Sequence, residues 1–216
     1  WVHVVGTWDF VTDAYAIWID GTVAATATTA TSGAIAELGT LNVGDSRSGY
    51  FYGGTGNSAR GHLDQVNLYD EVIGAGEIAD LLAVDPACTA GQWHWPLDEP
   101  DCEPAPPRGP RGRGVPRCGD GGPSPVEGRL GKALRFEGGA HGLRSRPPHP
   151  ELDQLFRFSV AAWVRVDDAG RGWRSIVDKR DALDDGWDLY LTPENQAFLR
   201  IDHWQLRGDL RLEPGT

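Results

Sequence analysis

The chain of 216 residues is long enough to bury a full core as one large sandwich or two small domains. A formal net charge of −11 excludes nucleic acid as a partner, because a phosphate backbone would repel it. No stretch approaches the roughly 20 consecutive apolar residues of a membrane-spanning helix, so no membrane insertion is expected. The sequence contains 29 glycines, 15 prolines and nine tryptophans, a composition that describes many short strands joined by turns. It contains no methionine, even at position 1, and so reads as a piece of something longer.

The first strand is Val2–Trp8, where Val2, Val4 and Gly6 alternate with His3, Val5 and Thr7. Both faces are largely apolar, as for a strand covered on two sides. Ala14–Ile19 and Thr22–Ala25 flank Asp20-Gly21, a strong hairpin signal because both turn positions favour positive φ. Leu41–Val43 and Tyr50–Tyr52 read as further strands. In His62–Tyr69 the pattern sets Leu63, Gln65, Asn67 and Tyr69 on one face and Asp64, Val66 and Leu68 on the other. Ala75–Ala83 is the one helix, with Ile78, Leu81 and Leu82 at helical spacing.

Residues 84–91 form a linker, followed by a Trp-rich strand, Gln92–Leu97. Residues 98–128 are a loop dominated by Pro, Gly, Arg and Asp. Its arginines Arg108, Arg111, Arg113 and Arg117, set among Pro and Gly, belong to a flexible insertion rather than to a polyanion site. Strands resume at Lys132–Glu137, Arg157–Val166, Ser175–Lys179, Trp187–Thr192, Ala197–Asp202 and Gln205–Leu212, with Asp185-Gly186 as a second hairpin signal. The sum is an all-β, two-sheet antiparallel sandwich with one short helix. Trp8, Trp18, Trp163 and Trp187 fall inside strand patterns and are expected in its core.

Of the three cysteines, Cys102 and Cys118 bracket a loop with nothing in it to form a core. A disulfide there would close it with a gain on the order of 3 kcal/mol, and Cys88 is left over. Such a bridge implies an oxidising compartment.

The phrases WVHVVGTWD, AIWIDGTVAA, LNVGDS and GHLDQVNLYDEVIGAGEIADLL resemble the second half of a laminin-G-like jelly-roll module of the concanavalin A-like lectin and glucanase superfamily. WPLDE, GKALRFEGG, FSVAAWVRV, IVDKRD and GWDLYL resemble its first half. The order is therefore reversed: 1–83 is the C-terminal half-module and 92–216 the N-terminal one, as in a tandem array cut out of phase. Because the first and last strands of that fold lie side by side, the resemblance implies one circularly permuted sandwich over 1–216. In that arrangement Gln92–Leu97 runs antiparallel to His62–Tyr69, and the two ends are neighbours.

The resemblance also directs the search for chemistry. Glycan-hydrolysing relatives carry Glu-x-Asp-x-Glu on a strand, placing an acid and a nucleophile on one face. None of the strands read here carries that triplet, and GGTGNSARG at 53–61 lacks the Lys-Ser/Thr ending of a phosphate-binding loop. No enzymatic role is expected. Modules of this kind often hold a cation near the seam of first and last strands. That likeness implies calcium on Asp64, Asp98, Glu99 and Asp101. Trp173, Asp178, Arg180 and Asp184, an aromatic residue beside paired charges, are the expected ligand-binding set. The implied function is a secreted or cell-surface binding or adhesion module for carbohydrate or an extracellular protein, alongside neighbouring repeats of the same chain. The alternatives are a structural spacer in a repeat array and an accessory module of a glycoside hydrolase.

Overall fold

A strand from the second half of the chain, β10 (Arg157–Arg165), is gripped on both sides by strands from the first half. β1 (Val2–Asp9) pairs with one edge, Val2 opposite Val164 and Asp9 opposite Arg157, and β5 (Arg60–Tyr69) pairs with the other. The computed structural model describes residues 1–28, 41–44, 59–83, 93–98, 123–138, 142–144, 152, 155–167, 172–180, 186–202 and 204–215. The strand expected at Tyr50–Tyr52, the 84–91 linker and all three cysteines lie outside these residues.

The first sheet continues from β1 to β2 (Ala14–Ile19) and the edge strand β3 (Thr22–Thr28). On the far side of β5, β8 (Lys132–Glu137) pairs with its first residues and carries β7 (Ser124–Glu127), while β6 (Trp93–Trp95) pairs with its last. Trp95 lies antiparallel opposite Val66 and Trp93 opposite Leu68, the pairing expected of this segment. The second sheet runs β14 (Trp204–Arg211), β13 (Gln196–Ile201), β12 (Gly186–Leu191), β11 (Arg174–Arg180), β4 (Leu41–Val43) and β9 (Leu143–Arg144). Each sheet thus mixes strands from 1–83 with strands from 92–216. A single core between them includes Val4, Trp8, Ile17, Leu63, Val66, Phe136, Phe158, Trp187, Leu189 and Leu199.

The Asp20-Gly21 turn has the expected geometry, φ +47° and +76°. Asp20 does more than turn the chain: its Oδ1 accepts the His3 amide at 2.8 Å, tying the hairpin back to β1. The outer side of the first sheet is covered over Val5, Ala161 and Tyr69 by α1 (Ala75–Ala83), which buries Ile78 and Leu81 there. Glu77 caps this helix by accepting the Gly74 amide at 2.7 Å. Ser159 fastens the approach to it, accepting from the Ile73 amide at 3.0 Å and donating to the Glu71 carbonyl at 2.8 Å.

Three sequence expectations change. The period-two reading of β5 fails at Gln65, which sits at φ +49° where the pairing with β10 slips between Ala161 and Trp163. The extra residue makes a β-bulge, so Leu63, Val66 and Leu68 face the core, and Asp64 and Asn67 face outward. Residues 124–127 are not loop. They form β7, tolerable with Pro125 because the strand lies at a sheet edge. Finally, Trp8 and Trp187 are in the core as expected, but Trp18 packs beneath α1 and Trp163 lies on the outer face.

The ends of the chain approach one corner. The Gly215 amide donates to the Val166 carbonyl at 2.8 Å, and the Arg165 guanidinium lies 5.7 Å from the centre of the Trp1 ring. Thr216 is outside the described residues. Trp187→Ala tests the shared core, since Trp187 is fully buried and its ring lies 4.8 Å from that of Phe158. The expected loss is about 3–5 kcal/mol. Amide hydrogen exchange should then accelerate in β1 and β2 as much as in β12; acceleration confined to β11–β13 would show that the halves unfold separately.

Candidate functional site

Asp64, one of the expected metal ligands, has no exposed surface. The bulge turns it outward, where its Oδ2 accepts the amides of Arg129 and Leu130 at 2.7 and 3.0 Å. These belong to the turn between β7 and β8. Gly128 at that turn cannot be replaced without displacement, because a Cβ there would lie 2.6 Å from Asp64 Oδ2. Asp98, at the surface, holds the other end of the turn by accepting the Lys132 amide at 2.7 Å. Burial pushes the Asp64 carboxyl up to about 7 against the pull of the two amides, and the charge of Asp98 adds to the rise.

Asp64 Oδ1 is buried without a hydrogen-bond partner. Asp64 and Asp98 are thus brought to one turn, while Glu99 and Asp101 fall outside the described residues. Among the described residues no three His, Cys, Asp or Glu side chains are grouped closely enough to hold a metal ion. The two carboxylates alone fall short of the roughly six to eight oxygens that calcium takes. Their visible work is to clamp a hairpin.

The expected ligand-binding residues sit on the opposite side of the molecule. On the second sheet, Trp187, Leu189, Leu199 and Ile201 point into the core, so their alternates form the outer face. One cross-strand row there is Asn42, Asp178, Asp188, Arg200 and Gln205. Arg180 joins it: its Nε lies 3.0 Å from Asp188 Oδ2, with Arg200 Nη2 at 3.4 Å from the same oxygen. The adjacent row is Ser175, Tyr190, Phe198 and Arg207. Tyr190 and Phe198 stack at 4.8 Å, and Trp173 stands edge-on to both at 5.1 and 5.6 Å.

Trp173, Asp178 and Arg180 therefore share one face, whereas Asp184 lies outside the described residues. Sequence reasoning missed Asp188, Arg200, Tyr190 and Phe198. The alternation of GWDLYL and QAFLRI carried the signal, since it places Asp188 and Tyr190, and Phe198 and Arg200, on common faces. It also passed over the Glu-x-Asp-x-Glu spacing of Glu99, Asp101 and Glu103, which falls in the Pro-rich segment outside the described residues.

The two antiparallel sheets and, among the described residues, one α-helix define a jelly-roll sandwich. Residues 1–79 are similar to the laminin-G family model of the concanavalin A-like lectin/glucanases superfamily. Comparison with curated proteins and with solved structures gives no match. Domains of this family in general bind carbohydrate or protein.

The Asp64 clamp makes a pH-dependent prediction. Its folded pKa lies above the ordinary aspartate value, so its share of stability is present below about pH 4 and is lost as the pH rises through 7. Asn keeps the amide acceptor but cannot ionise. In EDTA, the unfolding free-energy advantage of Asp64→Asn over the native chain, from denaturant titrations, should widen between about pH 4 and pH 8 by on the order of 1 kcal/mol or more. A difference independent of pH would remove the buried-carboxyl account.

Proposed function

We propose that the chain is a non-catalytic, secreted or cell-surface binding module. Its ligand, a carbohydrate or an extracellular protein, docks on the outer face of the six-stranded sheet. The observation that carries this reading is the pair of adjacent rows on that face: three rings in mutual contact beside Asp178, Asp188, Arg180 and Arg200. Aromatic rings offer an apolar surface to a sugar ring or a peptide side chain, and neighbouring charges select hydroxyls or amides. Ser175 Oγ, buried in the aromatic row without a hydrogen-bond partner, adds an unused polar group to the face.

Of the four charges, Arg200 is the one a ligand can reach, and the others frame it. Asp188 and Arg180 are almost fully buried, and a charged network earns little net stability once its desolvation is counted. Rigid placement of charges is what such a network supplies to recognition. Calcium enters as a further proposal, using Asp64 Oδ1, Asp98 and oxygens from residues 99–101. It predicts that EDTA lowers the melting temperature of the native chain but not of Asp98→Asn; an unchanged native transition would dismiss the ion.

Screening on glycan and extracellular-protein arrays tests the main proposal. Trp173→Ala and Arg200→Gln should each weaken a bound ligand by at least about tenfold while melting curves stay cooperative. Absence of any ligand on both arrays would favour the spacer alternative. Release of reducing sugar, lost on Glu99→Gln, would favour the hydrolase alternative.

A further inference from the structure

Among the described residues, one side of the sandwich is built from two edge strands, β3 of the first sheet and β14 of the second. They pack on each other: a Cβ at Gly208 would lie 3.6 Å from Ala24 Cβ. The opposite side ends in β7, which carries Pro125, and in the two-residue β9. Proline and shortness both keep a sheet edge from meeting another. β3 has neither: its seven residues, TVAATAT, include no proline and no charge. Six large apolar side chains are exposed among the described residues, and three of them, Val23, Trp204 and Leu210, lie on these two strands.

Each strand carries a register shift against its inner neighbour, so neither edge offers an uninterrupted ladder of backbone hydrogen bonds. What they offer is side chains, and β14 supplies the charges. Arg207 and Asp209, both exposed, flank Gly208. Gln196 holds this tripeptide in place, donating from Nε2 to the Gly208 carbonyl at 3.0 Å and the Asp209 carbonyl at 3.4 Å. Arg207 Nη2 donates to Glu194 Oε2 at 2.6 Å, and the guanidinium carries further N–H donors.

One charge of each sign on either side of a glycine is a self-complementary pattern. A two-fold axis normal to the sheets at Gly208 sets Arg207 of one copy beside Asp209 of the other, and symmetry forms the same pair a second time. That axis also passes Ala24, because Ala24 and Gly208 are in contact, and there it brings Val23 beside Ala25 and Thr22 beside Thr26. Along both strands no like charges meet, which decides the matter for a chain of net charge −11. Small residues, Ala24, Ala25 and Gly208, occupy the centre, where two copies come closest.

We infer that the chain pairs with a second copy of itself along this side, in an isologous dimer held by reciprocal Arg207–Asp209 contacts and by the apolar side chains of β3 and β14. An axis normal to the sheets turns the outer faces of both second sheets the same way. On the reading of that face given above, a surface-bound ligand then meets two binding faces at once and gains avidity. The dimer itself does not rest on that reading.

Sedimentation equilibrium of the whole chain, from about 1 μM to about 1 mM, tests this. The native chain is expected to pass from monomer to dimer within that range. Arg207→Glu and Asp209→Arg each set like charges across the axis and should weaken the dimer about tenfold or more. An equimolar mixture of the two variants restores both opposite-charge pairs and should dimerise with one copy of each. Leu210→Ser should also weaken association, whereas Val11→Ser, at an exposed apolar residue in the turn between β1 and β2, should leave it unchanged. If a charge reversal lowers the melting temperature, Arg207→Gln and Asp209→Asn, each expected to weaken the dimer, carry the test. A native chain that stays monomeric at every concentration would overturn the proposal, as would a mixture that stays monomeric while both variants are folded. Association lost on Val11→Ser and indifferent to both charges would overturn it in favour of unspecific apolar contact.

Discussion

The pairing of β10 between β1 and β5 is the constraint on which the rest of the molecule depends. Each of the three strands presents valine, leucine or phenylalanine to the second sheet, and none could bury that face without its neighbours. β2 takes one edge of β1 at once, but its other edge is met only by residues 157–164, so that contact is of very long sequence separation. The loop-closure cost of such a contact grows only slowly with length, while the apolar area it removes from water is worth roughly 25 cal/mol per Å². Central strands with distant partners are thus a sound thermodynamic solution, though a slow one to assemble.

The polar side of the same three strands is organised by a single irregularity. Without the bulge at Gln65, Asp64 would keep its outward position but Val66 and Leu68 would exchange faces with Asn67, leaving two aliphatic groups outside. The bulge also coincides with the place where β5 changes partners, from β8 to β6. There the Gln65 amide and side chain reach the Pro96 carbonyl, and Gln65 Oε1 lies 2.7 Å from His94 Nε2. A residue with positive φ at this point both corrects the register and bridges a gap in the sheet.

Most of the fold was legible because its signals are local. Asp20-Gly21 announced a hairpin through the φ values it tolerates, and GKALRFE, FSVAAWVR and GWDLYL announced strands through alternation. What alternation could not show was a change of phase. Gln65 has no composition that marks a bulge; only the neighbouring strand, pairing at shifted register, reveals it. Trp163 was read as core because tryptophan is usually buried, and it is buried, but by an arginine from a distant turn rather than by the opposite sheet. The binding face was half legible for a related reason. Trp173, Asp178 and Arg180 lie close in sequence, whereas Asp188, Tyr190, Phe198 and Arg200 join them only through strand pairing.

His3, Trp163 and Asp64 lie opposite one another across β1, β10 and β5, and this row has a consequence for proton balance. Burial lowers the His3 imidazole to about 4 and raises the Asp64 carboxyl to about 7. On unfolding at mildly acidic pH, the histidine therefore takes up a proton and the aspartic acid gives one up. Stability from His3 is present above its ordinary pKa and lost as the pH falls toward 4, while that from Asp64 moves the opposite way over nearly the same interval. Two groups on either side of one tryptophan thus exchange protons in opposite directions, and their shares of the pH dependence of stability oppose each other across that range.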